Sequence, residues 1–119
     1  MTGMRRSIGL AVALAAALAS ATPAAARSLS RFGRCLDREG AIFYGTSWCP
    51  HCTAQRELLG AAMPYVHYVE CSVDGGRRTT EECRAAGVRS FPTWEFGDGS
   101  RAHGRLSLKE LAARTGCEL

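Results

Sequence analysis

Apolar positions along the chain alternate between helix-like and strand-like spacing. Leu29, Phe32, Cys35 and Leu36 recur as on one helix face and predict a short amphipathic helix over 29–36. Ala41-Ile42-Phe43-Tyr44 is an unbroken apolar run closed by Gly45, as expected of a buried central strand. Thr53 to Met63 reads as a helix with Leu58, Leu59 and Ala62 inward, stopped by Pro64. Tyr65 to Cys71, rich in Val and Tyr, predicts a second strand. Asp74-Gly75-Gly76 turns the chain, and Thr79 or Thr80 can cap a short helix that runs through Ala86 and ends at Gly87. Pro92 to Phe96 and Arg101 to Arg105 read as strands joined by the Gly97-Asp98-Gly99-Ser100 hairpin turn. Ser107 with Glu110 forms a capping box for a last helix that Gly116 ends. The order α-β-α-β-α-β-β-α predicts an α/β fold, a mixed central sheet flanked by helices.

The first residues follow a different pattern. Arg5 and Arg6 precede an uncharged apolar run from Ile8 to Ala21, and Ala24-Ala25-Ala26 offers small residues for cleavage. This is the arrangement of an export signal, and the run is short for a membrane span of about 20 residues. The expectation is a signal peptide over residues 1–26, cut near Ala26/Arg27, and a single domain over 27–119. An uncleaved anchor is the alternative. Without Arg5 and Arg6 the net charge falls from +4 to +2, too weak a balance to argue for nucleic acid or an anionic membrane surface. Arg77-Arg78, in a Gly-rich loop, reads as a solvated turn.

All six cysteines, at 35, 49, 52, 71, 83 and 117, lie beyond the leader. An even count behind an export signal points to disulfides in an oxidising compartment. The Cys49-Pro50-His51-Cys52 motif stands apart from the other four. Thiol–disulfide exchange needs a nucleophilic thiolate and a second thiol close enough to resolve the mixed disulfide. A Cys-x-x-Cys pair at the start of a helix supplies both, because free N–H groups and the helix dipole favour the first thiolate. Cys49 is then the nucleophile and Cys52 the resolver. Pro50 suits the first helical turn. His51, as a cation or a donor, would favour the Cys49 thiolate and a more oxidising disulfide. Half a zinc site is the competing reading, but two further ligands at matching spacing are missing, so no metal is expected and the only redox group is the disulfide itself. His67 and His103 read as surface or satisfied core histidines.

The run Phe43-Tyr44-Gly45-Thr46-Ser47-Trp48-Cys49-Pro50-His51-Cys52 resembles a thioredoxin-fold active site. Val88-Arg89-Ser90-Phe91-Pro92-Thr93 resembles the loop of that family whose proline is cis and faces the Cys-x-x-Cys pair. The resemblance implies a thioredoxin-like fold and a cis Phe91-Pro92 bond that presents the Phe91 backbone to an extended substrate peptide. Trp48, Phe91 and Pro92 would line the substrate groove. Tyr68-Val69-Glu70-Cys71-Ser72, Glu82-Cys83, Gly87-Val88 and Ser90-Phe91-Pro92-Thr93-Trp94 are similar, more narrowly, to the thioredoxin-like domains that accompany bacterial vitamin K epoxide reductase homologues. That family implies a periplasmic or otherwise extracytoplasmic, monomeric carrier. It oxidises protein thiols and passes the electrons to a membrane reductase homologue and on to quinone.

The family pattern also implies a structural Cys71–Cys83 disulfide, with a redox relay as the alternative. Cys35 and Cys117 would then be the remaining pair; the residues alone leave three connectivities for the four outer cysteines. Two departures bear on direction. The buried acid that thioredoxin carries six residues before its first cysteine is Phe43 here, so Cys52 would have to lose its proton to water, to Glu57 or His67, or to substrate. Pro50-His51 is the dipeptide of the strongly oxidising DsbA-type site. Both lean toward disulfide formation. The alternatives are a periplasmic reductase or isomerase, and a disulfide-stapled or metal-binding module with no catalysis.

Overall fold

The computed structural model describes residues 23–76 and 78–119, together with Gly3, Gly9, Ala11 and Ala13. The expectations for Arg5, Arg6, Arg77 and most of the leader therefore lie outside the described residues. No helix among the described residues is long and apolar enough to cross a membrane.

The elements are α1 (Pro23–Arg38), β1 (Ile42–Gly45), α2 (Pro50–Leu59), a 3-10 segment (Gly60–Tyr65), β2 (His67–Glu70), α3 (Glu81–Ala85), β3 (Thr93–Glu95), β4 (Arg101–His103) and α4 (Leu108–Thr115). The sheet order is β2-β1-β3-β4. β1 and β2 run parallel across the α2 crossover, with Phe43 opposite Tyr68. β3 is antiparallel to both β1 and β4, with Phe43 opposite Trp94. The result is the mixed sheet with flanking helices that the alternation predicts.

Two elements differ from their expected form. α1, described from Pro23 onward, runs unbroken past Ala26/Arg27. α2 does not reach Met63. Gly60, at φ +50, ends it, and the chain continues as the 3-10 segment with Pro64 inside. Leu58 is consequently not inward but 37% exposed, while Leu59 and Ala62 are fully buried. The buried face of α2 runs through Cys52, Gln55 and Leu59, and Leu58, turned about 100° from Leu59, falls at its edge.

The main core joins Phe32 and Leu36 of α1, Phe43, Leu59, Ala62, Trp94, Phe96 and Leu111. α1 can lie against the 3-10 segment because position 33 is glycine; a Cβ there would sit 2.4 Å from the Ala62 carbonyl oxygen. One polar side chain is built into this core. Gln55 is fully buried, its Nε2 donates to the Leu106 carbonyl (3.0 Å), and its Oε1 accepts from Trp94 Nε1 (3.1 Å) and the Leu106 N–H (2.8 Å). With both ends satisfied it does not carry the penalty of an unpaired buried amide, and it locks α2 to β3 and to the chain entering α4.

Two disulfides brace the edges. Cys35 in α1 is joined to Cys117 just past α4, and Cys71 after β2 is joined to Cys83 in α3. Cys71 and Cys83 are both fully buried in a second cluster with Tyr44, Val69 and Val88. Sulfurs held there are out of reach of an exchange partner, which favours a bracing role over a relay.

Candidate active site

β1 delivers the chain to the site and α2 begins in it. Cys49 is the N-cap residue of α2, in extended conformation, and Pro50 opens the helix. Its sulfur thus faces unpaired N–H groups of the first turn, where negative charge is favoured. Cys49 and Cys52 are both free thiols. Cys49 is 6% exposed and Cys52 is fully buried one turn further along.

The two thiols are driven apart in acidity. Burial alone would raise the Cys49 thiol. The Cys52 N–H and thiol, the His51 N–H and the Thr46 hydroxyl outweigh it and hold Cys49 below the ordinary thiol value. Burial pushes the Cys52 thiol up to about 11; the Thr46 N–H opposes this, and the neighbouring Cys49 adds to it. When the pair loses one proton, the negative charge therefore sits mainly on Cys49, with Cys52 keeping its proton.

Across from Cys49 lies the loop before β3. The Phe91-Pro92 peptide bond is cis, and the Cys49 thiol points at the Phe91 carbonyl, 3.8 Å away. Pro92 is buried, Phe91 is partly buried, and Trp48 beside Cys49 is 49% exposed, giving an apolar rim. The loop is held from behind. Thr93 Oγ1 donates to the Ser90 carbonyl at 2.7 Å, and His103 Nδ1 lies 3.2 Å from both the Ser90 and Thr93 hydroxyls. His103 is thus tied to the loop that faces the sulfurs. A Cys-x-x-Cys pair capping the helix between two parallel strands, with a cis-proline opposite it leading into an antiparallel hairpin and a last helix, decides the architecture.

The fold is thioredoxin-like.

The thiol-disulfide oxidoreductase LTO1 of Arabidopsis thaliana is 40% identical over 88 residues, which is 71% of this chain and 23% of that protein. The chain thus spans about a quarter of the length of this curated relative. Thioredoxin O2 of Arabidopsis thaliana, solved in its oxidised state, aligns over 73% of this chain and 79% of its own, with a TM-score of 0.39 and 18% identity. No family model matches the chain.

The structure departs from the sequence reading around Cys52. Phe43 is fully buried, stacked on Trp94 and edge-on to Tyr68, each with ring centroids 5.0 Å apart. Glu57 and His67, named as possible proton acceptors for Cys52, are both exposed. Their side chains point to solvent because α2 and β2 turn their other faces to the core. The imidazole of His51 is exposed too and makes no hydrogen bond among the described residues; its backbone N–H is the part that acts on Cys49. Among the described residues no group of three or more His, Cys, Asp or Glu is placed to hold a metal.

Spacing did not reveal a polar cluster beside the pair. The Thr46 N–H donates to Cys52 Sγ at 3.5 Å. The next peptide is gripped at both ends: Arg56 Nη1 donates to the Thr46 carbonyl (3.4 Å), and the Ser47 N–H donates to Glu70 Oε1 (2.8 Å). Glu70 also accepts from the Tyr68 and Ser72 hydroxyls. Burial raises its carboxyl, but these donors prevail and hold it below the usual carboxylate range. Tyr68 is raised, by burial first and then by Glu70. Gly45 permits this crowding, since a Cβ there would lie 3.0 Å from the Tyr68 ring and 3.3 Å from Cys52 Sγ. The one available signal was Glu70 itself, an acid beside the strand run that precedes Cys71.

Proposed function

We propose that the chain is a thiol–disulfide oxidoreductase that forms disulfides in exported proteins through the Cys49–Cys52 couple. The observation that carries this reading is the asymmetry of the pair: a stabilised Cys49 thiolate at a helix N-terminus, facing the cis Phe91-Pro92 bond, over a buried, protonated Cys52. A substrate thiolate attacks Cys49 Sγ of the oxidised couple, and the Cys49–Cys52 bond breaks. Cys52 leaves as a thiolate and takes a proton. A second substrate thiolate then attacks the substrate sulfur of the mixed disulfide and expels Cys49, whose low pKa makes it a good leaving group. The substrate gains a disulfide and the protein keeps two electrons as a dithiol.

Stabilising the Cys49 thiolate stabilises the reduced form, which is what makes a couple oxidising. Phe43 in place of an acid and the Pro50-His51 dipeptide support the same direction. The export-type leader and the two outer disulfides support a periplasmic or otherwise extracytoplasmic location, with an N-terminal anchor where the leader is retained. A membrane vitamin K epoxide reductase homologue, linked to quinone, is the proposed reoxidant of a monomeric carrier whose clients are protein thiols. Replacing Cys52 by alanine removes the resolving thiol. Cys52→Ala, mixed with a peptide disulfide, is expected to accumulate a Cys49 mixed disulfide that dithiothreitol releases, read by intact-protein mass. No adduct, together with a wild-type protein that neither oxidises nor reduces a test peptide, would sink the enzymatic reading.

A further inference from the structure

Thr46 is 1% exposed, and its Oγ1 finds no hydrogen-bond partner among the described residues. Buried hydroxyls are nearly always paired, and an orphan is destabilising. Thr46 lies against Cys52, and its hydroxyl favours the ionised form of either sulfur. A thiol is a weak acceptor and a thiolate a strong one, so a donor idle beside two thiols gains a partner once either ionises. The same residue already aims its N–H at Cys52 Sγ. Its position is fixed by the Arg56 and Glu70 grip on the Thr46–Ser47 peptide.

We propose that Thr46 is a catalytic residue of the couple: its hydroxyl and its N–H receive the thiolate as it passes between Cys49 and Cys52, with Arg56 and Glu70 as positioning residues. The inference rests on the exchange chemistry proposed above. The need is greatest at Cys52, which must leave, or attack, as a thiolate from a fully buried site. No buried acid serves it, because Phe43 fills that place. The charged and titratable groups around the pair are Arg56 and exposed His51 on α2, and Tyr68 and Glu70 on β2; β1 presents Phe43 and the loop before β3 presents the Phe91 carbonyl. Beside these groups, Thr46 brings donors to the sulfurs through both its backbone and its side chain.

Thr46→Val keeps the shape and the N–H and removes only the hydroxyl. It is expected to move the Cys49 thiolate titration, followed by absorbance near 240 nm, to higher pH. It should also shift the redox equilibrium with glutathione about tenfold toward the disulfide form, a potential about 30 mV more reducing. Thr46→Ser should match the wild type in both. The reduced Thr46→Val protein, at a pH below the Cys49 titration, should melt at or above the wild-type temperature, because an unpaired buried hydroxyl has gone. A Thr46→Val protein with unchanged titration and equilibrium, a Thr46→Ser protein that shifts like Thr46→Val, or a large loss of melting temperature in Thr46→Val would each overturn the proposal. A wild-type pair inert toward glutathione would instead count against the oxidoreductase reading, and the thiolate titration alone would then decide on Thr46.

Discussion

Cys49→Ser is expected to abolish thiol–disulfide exchange while leaving the fold as stable as before or slightly more so. Serine cannot form a mixed disulfide, and its hydroxyl is not ionised at neutral pH, so turnover of a dithiol peptide should fall to the uncatalysed rate. The stability side follows from the position. Cys49 is the N-cap of α2, and its side chain makes no cap hydrogen bond. Serine is among the preferred N-caps, worth about 0.5–2 kcal/mol over a residue that does not cap. Thermal melting of the reduced proteins checks this: an unchanged or higher midpoint for Cys49→Ser means that the sulfur is kept for chemistry rather than for the helix. The pH dependence of the wild type has a definite sign. Cys49 is depressed below the ordinary thiol value, so its thiolate persists to lower pH than that of an ordinary cysteine. Reactivity toward iodoacetamide should fall as pH drops through that depressed value, whereas Cys52, at about 11, should stay unreactive until strongly alkaline pH.

Loss of the Cys35–Cys117 bridge should produce the largest change in stability. The bridge spans 82 residues of sequence and ties α1 to the end of α4. Closing so long a loop removes about 4 kcal/mol of unfolded-chain entropy, against about 3 kcal/mol for the Cys71–Cys83 bridge, separated by 12. In a domain of this size 1 kcal/mol moves the midpoint by roughly 4–8 °C. Cys35→Ser/Cys117→Ser is therefore expected to melt about 15–30 °C below the wild type. The Cys71→Ser/Cys83→Ser pair should fall by somewhat less. Calorimetry under non-reducing conditions gives both numbers. Equal midpoints for the Cys35→Ser/Cys117→Ser protein and the wild type would remove the bridge from the account of how so small a domain stays folded.

The fold was largely legible because its elements announce themselves locally. β1 is an unbroken apolar run, Ser107 and Glu110 form both halves of a capping box, and Gly116 takes the left-handed conformation that ends α4. The expectation failed where a local stop competed with periodicity. Gly60 ends α2 four residues before Pro64, and the chain re-enters as a 3-10 turn packed on Gly33 of α1, a contact that no window of sequence contains.

The active site divides in the same way. Cys49, Pro50 and Cys52 form a site by their spacing alone, and the motif around Pro92 marks the loop that the structure sets opposite them. Thr46, Arg56, Tyr68 and Glu70 could not be grouped from the sequence. They come from the residue after β1, from α2 and from β2, and only the parallel register that sets Gly45 beside Glu70 brings them together. Gln55 was unreadable for a related reason. A glutamine on an amphipathic helix normally faces water, and its burial makes sense only once Trp94 and Leu106 are seen to satisfy it.

The reduction potential of the Cys49–Cys52 couple, measured by equilibration with glutathione buffers, tests the central claim most directly. A stabilised Cys49 thiolate over a protonated Cys52 predicts an oxidising couple, nearer the value of about −120 mV found for DsbA; a value near thioredoxin's, about −270 mV, would contradict a role in forming disulfides.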